Sequence, residues 1–300
     1  MTANFKDDIM VNMKSIKRNI KTVRNYVVSL LKNYNMSAEF NRVGAFCMFL
    51  GYPRSGHTLV SSLLDAHPDI VMANELNVLR YIRYGFNKGQ IFYLIVENSH
   101  NFAEDGSTFT GYSYAVPNQW QGRFRNLRVI GDKRADRSVI SLQEYPYLMN
   151  KLKETIDIPI KFIHVIRNPY DNISSMFLRG QKRSFQEVID HYFFLVESVV
   201  QYKKHIPEQD IIGIYNEDII KEPVINLKRL CHFLDVDAED NYLQDCKSIV
   251  FPSPTNIRYK APWTPELIKE VADRIKAFPF LANYTFEGNK ESQLIKSTMP

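Results

Sequence analysis

Four short apolar runs, at 45–51, 127–131, 160–166 and 210–215, are too short for buried helices and read as strands. Longer stretches at 57–66, 169–179, 184–205, 223–234 and 264–278 repeat their apolar residues every three or four positions, the pattern of helices with one buried face. Strands alternating with helices predict an α/β fold, a parallel sheet flanked by helices on both faces. Ligands in such folds sit at the carboxyl ends of the strands. The residues that follow each apolar run are therefore the places to look for chemistry.

Ahead of the first strand the pattern is different. Ile9, Met13, Ile16, Ile20, Val23, Val27, Leu30 and Tyr34 alternate four and three residues apart, a heptad seam on one continuous helix. Residues 1–42 hold eight Lys or Arg against three acids, so the net charge of +5 resides there and the rest of the chain is balanced. A global basic face for nucleic acid is unsupported. The expected organisation is an N-terminal basic amphipathic helix over 1–40, an α/β domain over 41–285 and a tail over 286–300. The helix has three candidate partners: a second copy of the chain through residues 5–34, its own domain, or an anionic membrane surface. A narrow stripe without Trp argues for the first two.

The first apolar run breaks at Gly51-Tyr52-Pro53-Arg54-Ser55-Gly56 and resumes helical spacing at His57-Thr58-Leu59-Val60. Strand, tight loop and helix in that order aim the N–H groups of residues 55 to 59 and the positive end of the helix at one small volume, which suits a phosphate or sulfonate. Arg54 adds charge and Ser55 a hydroxyl; the alternative is a turn that merely caps a helix. The loop lacks the first glycine and the lysine of a Walker A sequence, which argues against an ordinary Mg-ATP kinase. The third run ends in Arg167-Asn168-Pro169, where Pro169 suits a first helical turn. Ser175 follows about two turns up that helix. Arg167 and Ser175 can together grip a second phosphate.

With these two motifs the chain resembles the sulfotransferases that use 3′-phosphoadenosine 5′-phosphosulfate (PAPS) as donor, over roughly residues 43 to 280. In that family a loop like Tyr52 to Leu59 holds the 5′-phosphosulfate, and an Arg followed eight residues later by a Ser, here Arg167 and Ser175, holds the 3′-phosphate. Arg in the first loop is similar to the tyrosylprotein and bacterial small-molecule branches, whose loop usually reads Pro-Arg-Ser-Gly-Thr-Thr. His57 stands where the first of those Thr residues would be. The resemblance implies a P-loop-like fold and PAPS as co-substrate. It implies Glu75 as general base, and Arg54 and Lys133 as the cations that stabilise the leaving group. Ser55, Gly56, His57, Thr58 and Leu59 become donor contacts, and Arg258 and Lys260, on a proline-broken loop, add to the 3′-phosphate clamp. Read without the family, Lys133 belongs to a mixed-charge stretch and the 252–263 loop is a surface connector.

The chemistry accounts for these residue types. Charge grows on the bridging oxygen as a sulfonate leaves its phosphate, fixed cations offset that charge, and one base is needed for the acceptor's proton. Such a site does without a metal, and no histidine has a metal-ligand spacing partner. Residues 84–126, rich in Phe, Tyr, Asn, Gly and Gln, bring Tyr112, Tyr114, Trp120 and Gln121 close in sequence and form either an acceptor pocket or a second small core. No apolar run is long enough to cross a membrane. Cys47, Cys231 and Cys246 are odd in number and set in apolar or helical surroundings, which fits a reducing cytoplasm and neither disulfides nor zinc. The expected activity is sulfonate transfer to a hydroxyl or amine of a small molecule. A non-catalytic nucleotide sensor and a degenerate P-loop kinase are the alternatives.

Overall fold

A computed structural model of the chain describes residues 19–180, 183–253 and 255–288. Its centre is a five-stranded parallel sheet made of β1 (Ala45–Leu50), β2 (Ile70–Asn74), β5 (Val129–Lys133), β6 (Ile160–Ile166) and β7 (Ile211–Tyr215), in the order β2-β5-β1-β6-β7. A two-residue hairpin, β3 (Thr108–Phe109) with β4 (Tyr112–Ser113), lies apart from it. The four strands read from the sequence are four of these five. β2, a five-residue strand after the Ala66-His67-Pro68-Asp69 turn, was not among them because its apolar run, Ile70 to Ala73, is only four residues long.

Side chains of β1 are buried on both faces, as a central strand between two helical layers requires. Phe46, Met48 and Leu50 point into one core with α4 (Val78–Arg83), α5 (Lys88–Glu104), α6 (Ala135–Glu144), α7 (Leu148–Ile156), α8 (Pro169–Arg179), α9 (Phe185–Lys203) and α13 (Pro265–Ile275). Ala45, Cys47 and Phe49 point into the other, with α3 (His57–Asp65), α10 (Asn216–Lys221), α11 (Pro223–Phe233) and α12 (Asp240–Ser248). The two-residue alternation of β1 thus feeds two separate hydrophobic cores. The expected helix over Cys231 is present, Cys246 lies on α12, which the sequence reading did not include, and all three cysteines are buried free thiols.

Strand order decides where a ligand can sit. The chain leaves β1, places β2 and β5 on one side and then β6 and β7 on the other, so the loops after β1 and β6 diverge from a switch point at the carboxyl edge. The loops after β2, β5 and β7 end on that same edge because every pairing is parallel.

Residues 19–32 form a helix, α1, joined by a 3-10 turn at Asn33–Met36 to the short α2 (Ser37–Phe40). α1 docks on the domain by its polar side. Thr22 accepts from Arg80 Nη2, Asn25 Nδ2 donates to the Tyr81 hydroxyl at 2.9 Å, and Gln90 Nε2 donates to the Tyr26 carbonyl at 3.0 Å and to Ser29 Oγ at 3.2 Å. The expected seam residues Ile20, Val23, Val27 and Leu30 face solvent instead. Tyr34 falls in the 3-10 turn, past the α-helix. Ile9, Met13 and Ile16, like residues 289–300 of the expected tail, lie outside the described residues.

Candidate active site

The loop between β1 and α3 is shaped from within. Ser55 is fully buried and its Oγ donates to the Tyr52 carbonyl at 2.8 Å, so this hydroxyl closes the turn rather than reaching outward. Gly56, the residue before α3, has φ 98°, and a Cβ there would run into Asn216 Oδ1. Only glycine permits both the left-handed backbone and that approach. α3 therefore begins without a side-chain cap, its first N–H groups unclaimed by one and facing the cleft.

His57 is buried with its ring edge-on to Phe49 and hydrogen-bonded to the Leu50 carbonyl. Burial, with the Lys133 charge as a lesser contributor, pushes its pKa down to about 3, so the ring is neutral at physiological pH. Its Nε2 lies against Gly51, where a Cβ would come within 2.8 Å of it. His57 thus packs behind the loop and also contributes to the lining of the cleft.

Arg54, in a left-handed conformation at φ 70°, turns back toward β6. Its Nε donates to Ser175 Oγ at 3.2 Å, and Arg167 Nη1 donates to the Arg54 carbonyl at 2.9 Å. Two turns separated by 113 positions in the chain are therefore one structure, with Arg54, Arg167 and Ser175 on its wall. Burial lowers the pKa of Arg54, and the neighbouring Arg179 and Arg167 charges push the same way. The site concentrates positive charge that an anion would relieve.

Parallel register builds the second half. Asn74 pairs with Lys133, so Glu75, one residue beyond β2, meets the end of β5. Glu75 has φ 61°, and its backbone N–H donates to the Lys133 carbonyl while its own carbonyl accepts from Arg134 Nη1 at 2.8 Å. Its carboxylate lies 2.7 Å from Lys133 Nζ and 3.1 Å from Arg134 Nη1. Lys133 is 2% exposed; its ammonium also donates to Thr58 Oγ1 at 3.1 Å and lies 4.5 Å from the centre of the Phe109 ring. Burial lowers the Lys133 pKa and Glu75 opposes the shift. Asp132, next in β5, caps the 75–78 turn by accepting from the N–H groups of Leu76 and Val78. Burial raises its pKa to about 6.

Both halves open into one cleft of about 630 Å³ that Gly56, Thr58, Leu59, Glu75, Arg167 and Ser175 help to line. Not every expected residue reaches it. Lys260 is exposed and off the cleft wall. Arg258 lies beneath the wall, buried against Asp171 at 3.4 Å, with its Nε and Nη1 lacking a protein partner. Of the aromatic segment, Phe109, Tyr112 and Tyr114 line the cleft. Gln121 instead bonds the Ser62 and Tyr114 carbonyls, and the Trp120 N–H caps the Ala66 carbonyl. α5 occupies 88–104, where the sequence shows poor periodicity, because the helix is buried along much of its length.

Several lining residues went unnoticed in the sequence. Arg179 bonds the Thr110 carbonyl at 2.9 Å and the Tyr112 hydroxyl at 3.2 Å, tying the hairpin to α8. Its place four residues after Ser175 was a usable signal. Asn216, first after β7, was marked by its place at a strand's carboxyl end. Thr255 and Phe251 had no local mark.

The geometry defines a P-loop-like α/β protein with a cleft lined by arginine and lysine. Residues 159–240, from β6 into α12, match the family model described as the sulfotransferase family. A protein-tyrosine sulfotransferase A of Caenorhabditis elegans is 24% identical over 216 residues, 68% of this chain and 53% of that protein. The chain thus spans about half the length of this curated relative. The solved sulfotransferase domain from the olefin synthase of Synechococcus PCC 7002 superposes with a TM-score of 0.53 at 16% identity, covering 79% of this chain and 95% of the domain. In sequence signature over β6 to α12 and in overall fold, the chain is similar to sulfotransferases.

Proposed function

We propose that the chain transfers a sulfonate group from PAPS to a hydroxyl or amine of a small-molecule acceptor, without a metal. The observation that carries this reading is the direct junction of the two anion loops through Arg167, Arg54 and Ser175, with the Lys133–Glu75 pair opening into the same cleft. The residues fit a doubly phosphorylated adenosine. Arg54 and the first N–H groups of α3 would hold its 5′ end. Arg167 and Ser175 would hold the 3′-phosphate, and the unpartnered nitrogens of Arg258 lie behind them for the same charge. Among the described residues no group of three or more His, Cys, Asp or Glu is placed to hold a metal.

PAPS supplies an activated sulfonate on a phosphate leaving group. Lys133 and Arg54 offset the negative charge that grows on the leaving oxygen, at a site where one such donor is worth roughly 3–4 kcal/mol. Lys133 is already fixed by Thr58 and Phe109, so little reorganisation is needed. Glu75 takes the acceptor's proton, and the Lys133 ammonium 2.7 Å from its carboxylate holds it in place for that transfer. Phe109, Tyr112 and Phe251 supply an apolar wall for the acceptor.

Incubation with PAPS and a pool of small acceptors should yield products heavier by one SO₃, and Glu75→Ala should abolish them. Calorimetry should show adenosine 3′,5′-bisphosphate binding that a chelator leaves unchanged. Magnesium-dependent ATP binding with no affinity for the bisphosphate would overturn the reading in favour of a kinase. Bisphosphate binding without turnover of any acceptor would favour a sensor.

A further inference from the structure

α1 is amphipathic in the opposite sense to an ordinary docked helix. Its contacts with the domain run through Thr22, Asn25 and Ser29, with Val28 packed on the core and the Tyr26 ring edge-on to Phe86, and Ser29 is completely buried. Its large aliphatic residues stand in solvent: Ile20 is 63% exposed, Val23 65%, Val27 50%, Leu30 49% and Leu31 72%. At 100° per residue these five fall within a stripe of about 100° on the side away from the docking face. A soluble helix face of this kind is left uncovered only where something else covers it.

We propose that the stripe is covered by the same stripe of a second copy of this chain, in a parallel two-stranded coiled coil. Three observations select that occupant. The spacing is the strict four-three alternation of a heptad, with Ile20 and Val27 at a positions and Val23 and Leu30 at d. A 3.5-residue seam keeps facing one direction only when two helices wind about each other, whereas a membrane surface imposes no such period. The same four-three spacing recurs in the sequence at Ile9, Met13 and Ile16, outside the described residues. Flanking charge also agrees. In the parallel arrangement Asn19 at g faces Arg24 at e of the other copy and Tyr26 faces Leu31, so no like charges oppose. The basic residues Lys21, Arg24 and Lys32 gather on one flank instead of framing the stripe on both sides as a membrane-surface helix would.

Because each domain hangs on the far side of its own helix, two copies meet along the seam without their α/β domains competing for it, and the contact closes as an isologous dimer. This inference does not rest on the proposed activity.

Sedimentation of the full chain at micromolar concentration should give twice the chain mass. Ile20→Lys with Val27→Lys should give the single-chain mass with the helical circular-dichroism signal retained, since neither side chain packs on its own domain. Val27→Cys should join two chains through a disulfide on mild oxidation, with little background because the three native cysteines are buried. A wild-type chain of single mass overturns the proposal, and if it also sediments with phosphatidylcholine–phosphatidylserine vesicles the membrane is the occupant. A double variant that stays dimeric, or a dimer that Val27→Cys fails to cross-link, overturns it too. Should the double variant fail to fold, the Val27→Cys result decides.

Discussion

Glu75 holds an unusual place for a surface-loop carboxylate. Left-handed backbone costs a non-glycine residue of order 1 kcal/mol, and here the Lys133 carbonyl and Arg134 guanidinium clamp the peptide on both sides. Such fixation suits a base that must meet one acceptor atom. Glu75→Gln keeps the size and removes the proton acceptor, so kcat should fall about 10²–10⁴-fold while bisphosphate binding changes little. Steady-state kinetics and calorimetry on the same preparation check both parts. Loss of nucleotide binding with the rate would place Glu75 in a structural role. A second residue-scale consequence concerns His164, buried on β6 between the Tyr52 and Phe280 rings with both ring nitrogens unpartnered. Burial holds its pKa well below the usual histidine value. The unfolded chain therefore binds a proton that the folded chain refuses as pH drops below about 6.5, and stability is lost on the acid side. Asp65 and Asp132, raised to about 6 by burial, act in the opposite sense over about pH 4–6, so a difference between proteins is the clean measurement. His164→Phe should flatten the slope of unfolding free energy from pH 6.5 to 5 by up to about 1.4 kcal/mol per unit. Parallel slopes for the two proteins would mean the ring is not held neutral.

Among the elements, α8 is the strut that joins the two sides of the cleft. Its first turn presents Asp171 to the backbone N–H and guanidinium of Arg258, and Trp263 Nε1 donates to Ser174 Oγ at 2.8 Å further along. The 252–263 loop, read from sequence as carrying cations over a nucleotide or as a connector, is thus tied to α8 through Arg258 and Trp263. Trp263 also packs on Tyr170 and Phe185. Asp171→Ala leaves the Arg258 charge buried and unpaired, a change that costs about 3–5 kcal/mol in comparable pairs. Urea unfolding should show a loss of that size, and a cost below about 1 kcal/mol would mean water replaces the partner. The hairpin depends on α8 as well, through Arg179. Arg179→Ala should raise KM for the acceptor several-fold and leave bisphosphate affinity within about twofold, because Thr110 and Tyr112 lose their anchor while Arg167 and Ser175 keep theirs. Equal losses for both ligands would place Arg179 in the nucleotide half.

At the scale of the whole molecule, the parallel sheet turns five local strand ends into one edge, and the cleft follows from that edge. Local pattern was enough for the strands that run between helices with clear punctuation, since burial on both faces makes them continuous apolar runs. It was enough for the strand–turn–helix form of the loops after β1 and β6 as well, because glycine, proline and arginine at such a turn carry their reason in the residues themselves. Lys260 shows the limit: a cation on a loop near the site is indistinguishable in sequence from one that faces away. Ser55 shows another, since its hydroxyl suits either a ligand or the turn it closes. Helix α5 was invisible because periodicity fades when a helix is covered on most sides.

The sequence by itself determined the alternation of strands and helices, the strand–turn–helix form of the loops after β1 and β6 and the heptad spacing of α1, since all three depend on neighbours within a few turns. Tertiary structure alone decided that Arg167 reaches the Arg54 carbonyl, that Glu75 meets Lys133, and that α1 turns its polar side inward. Each of these is a contact across tens of positions or more, fixed by strand order and parallel register, and no local spacing encodes which loops will share an edge.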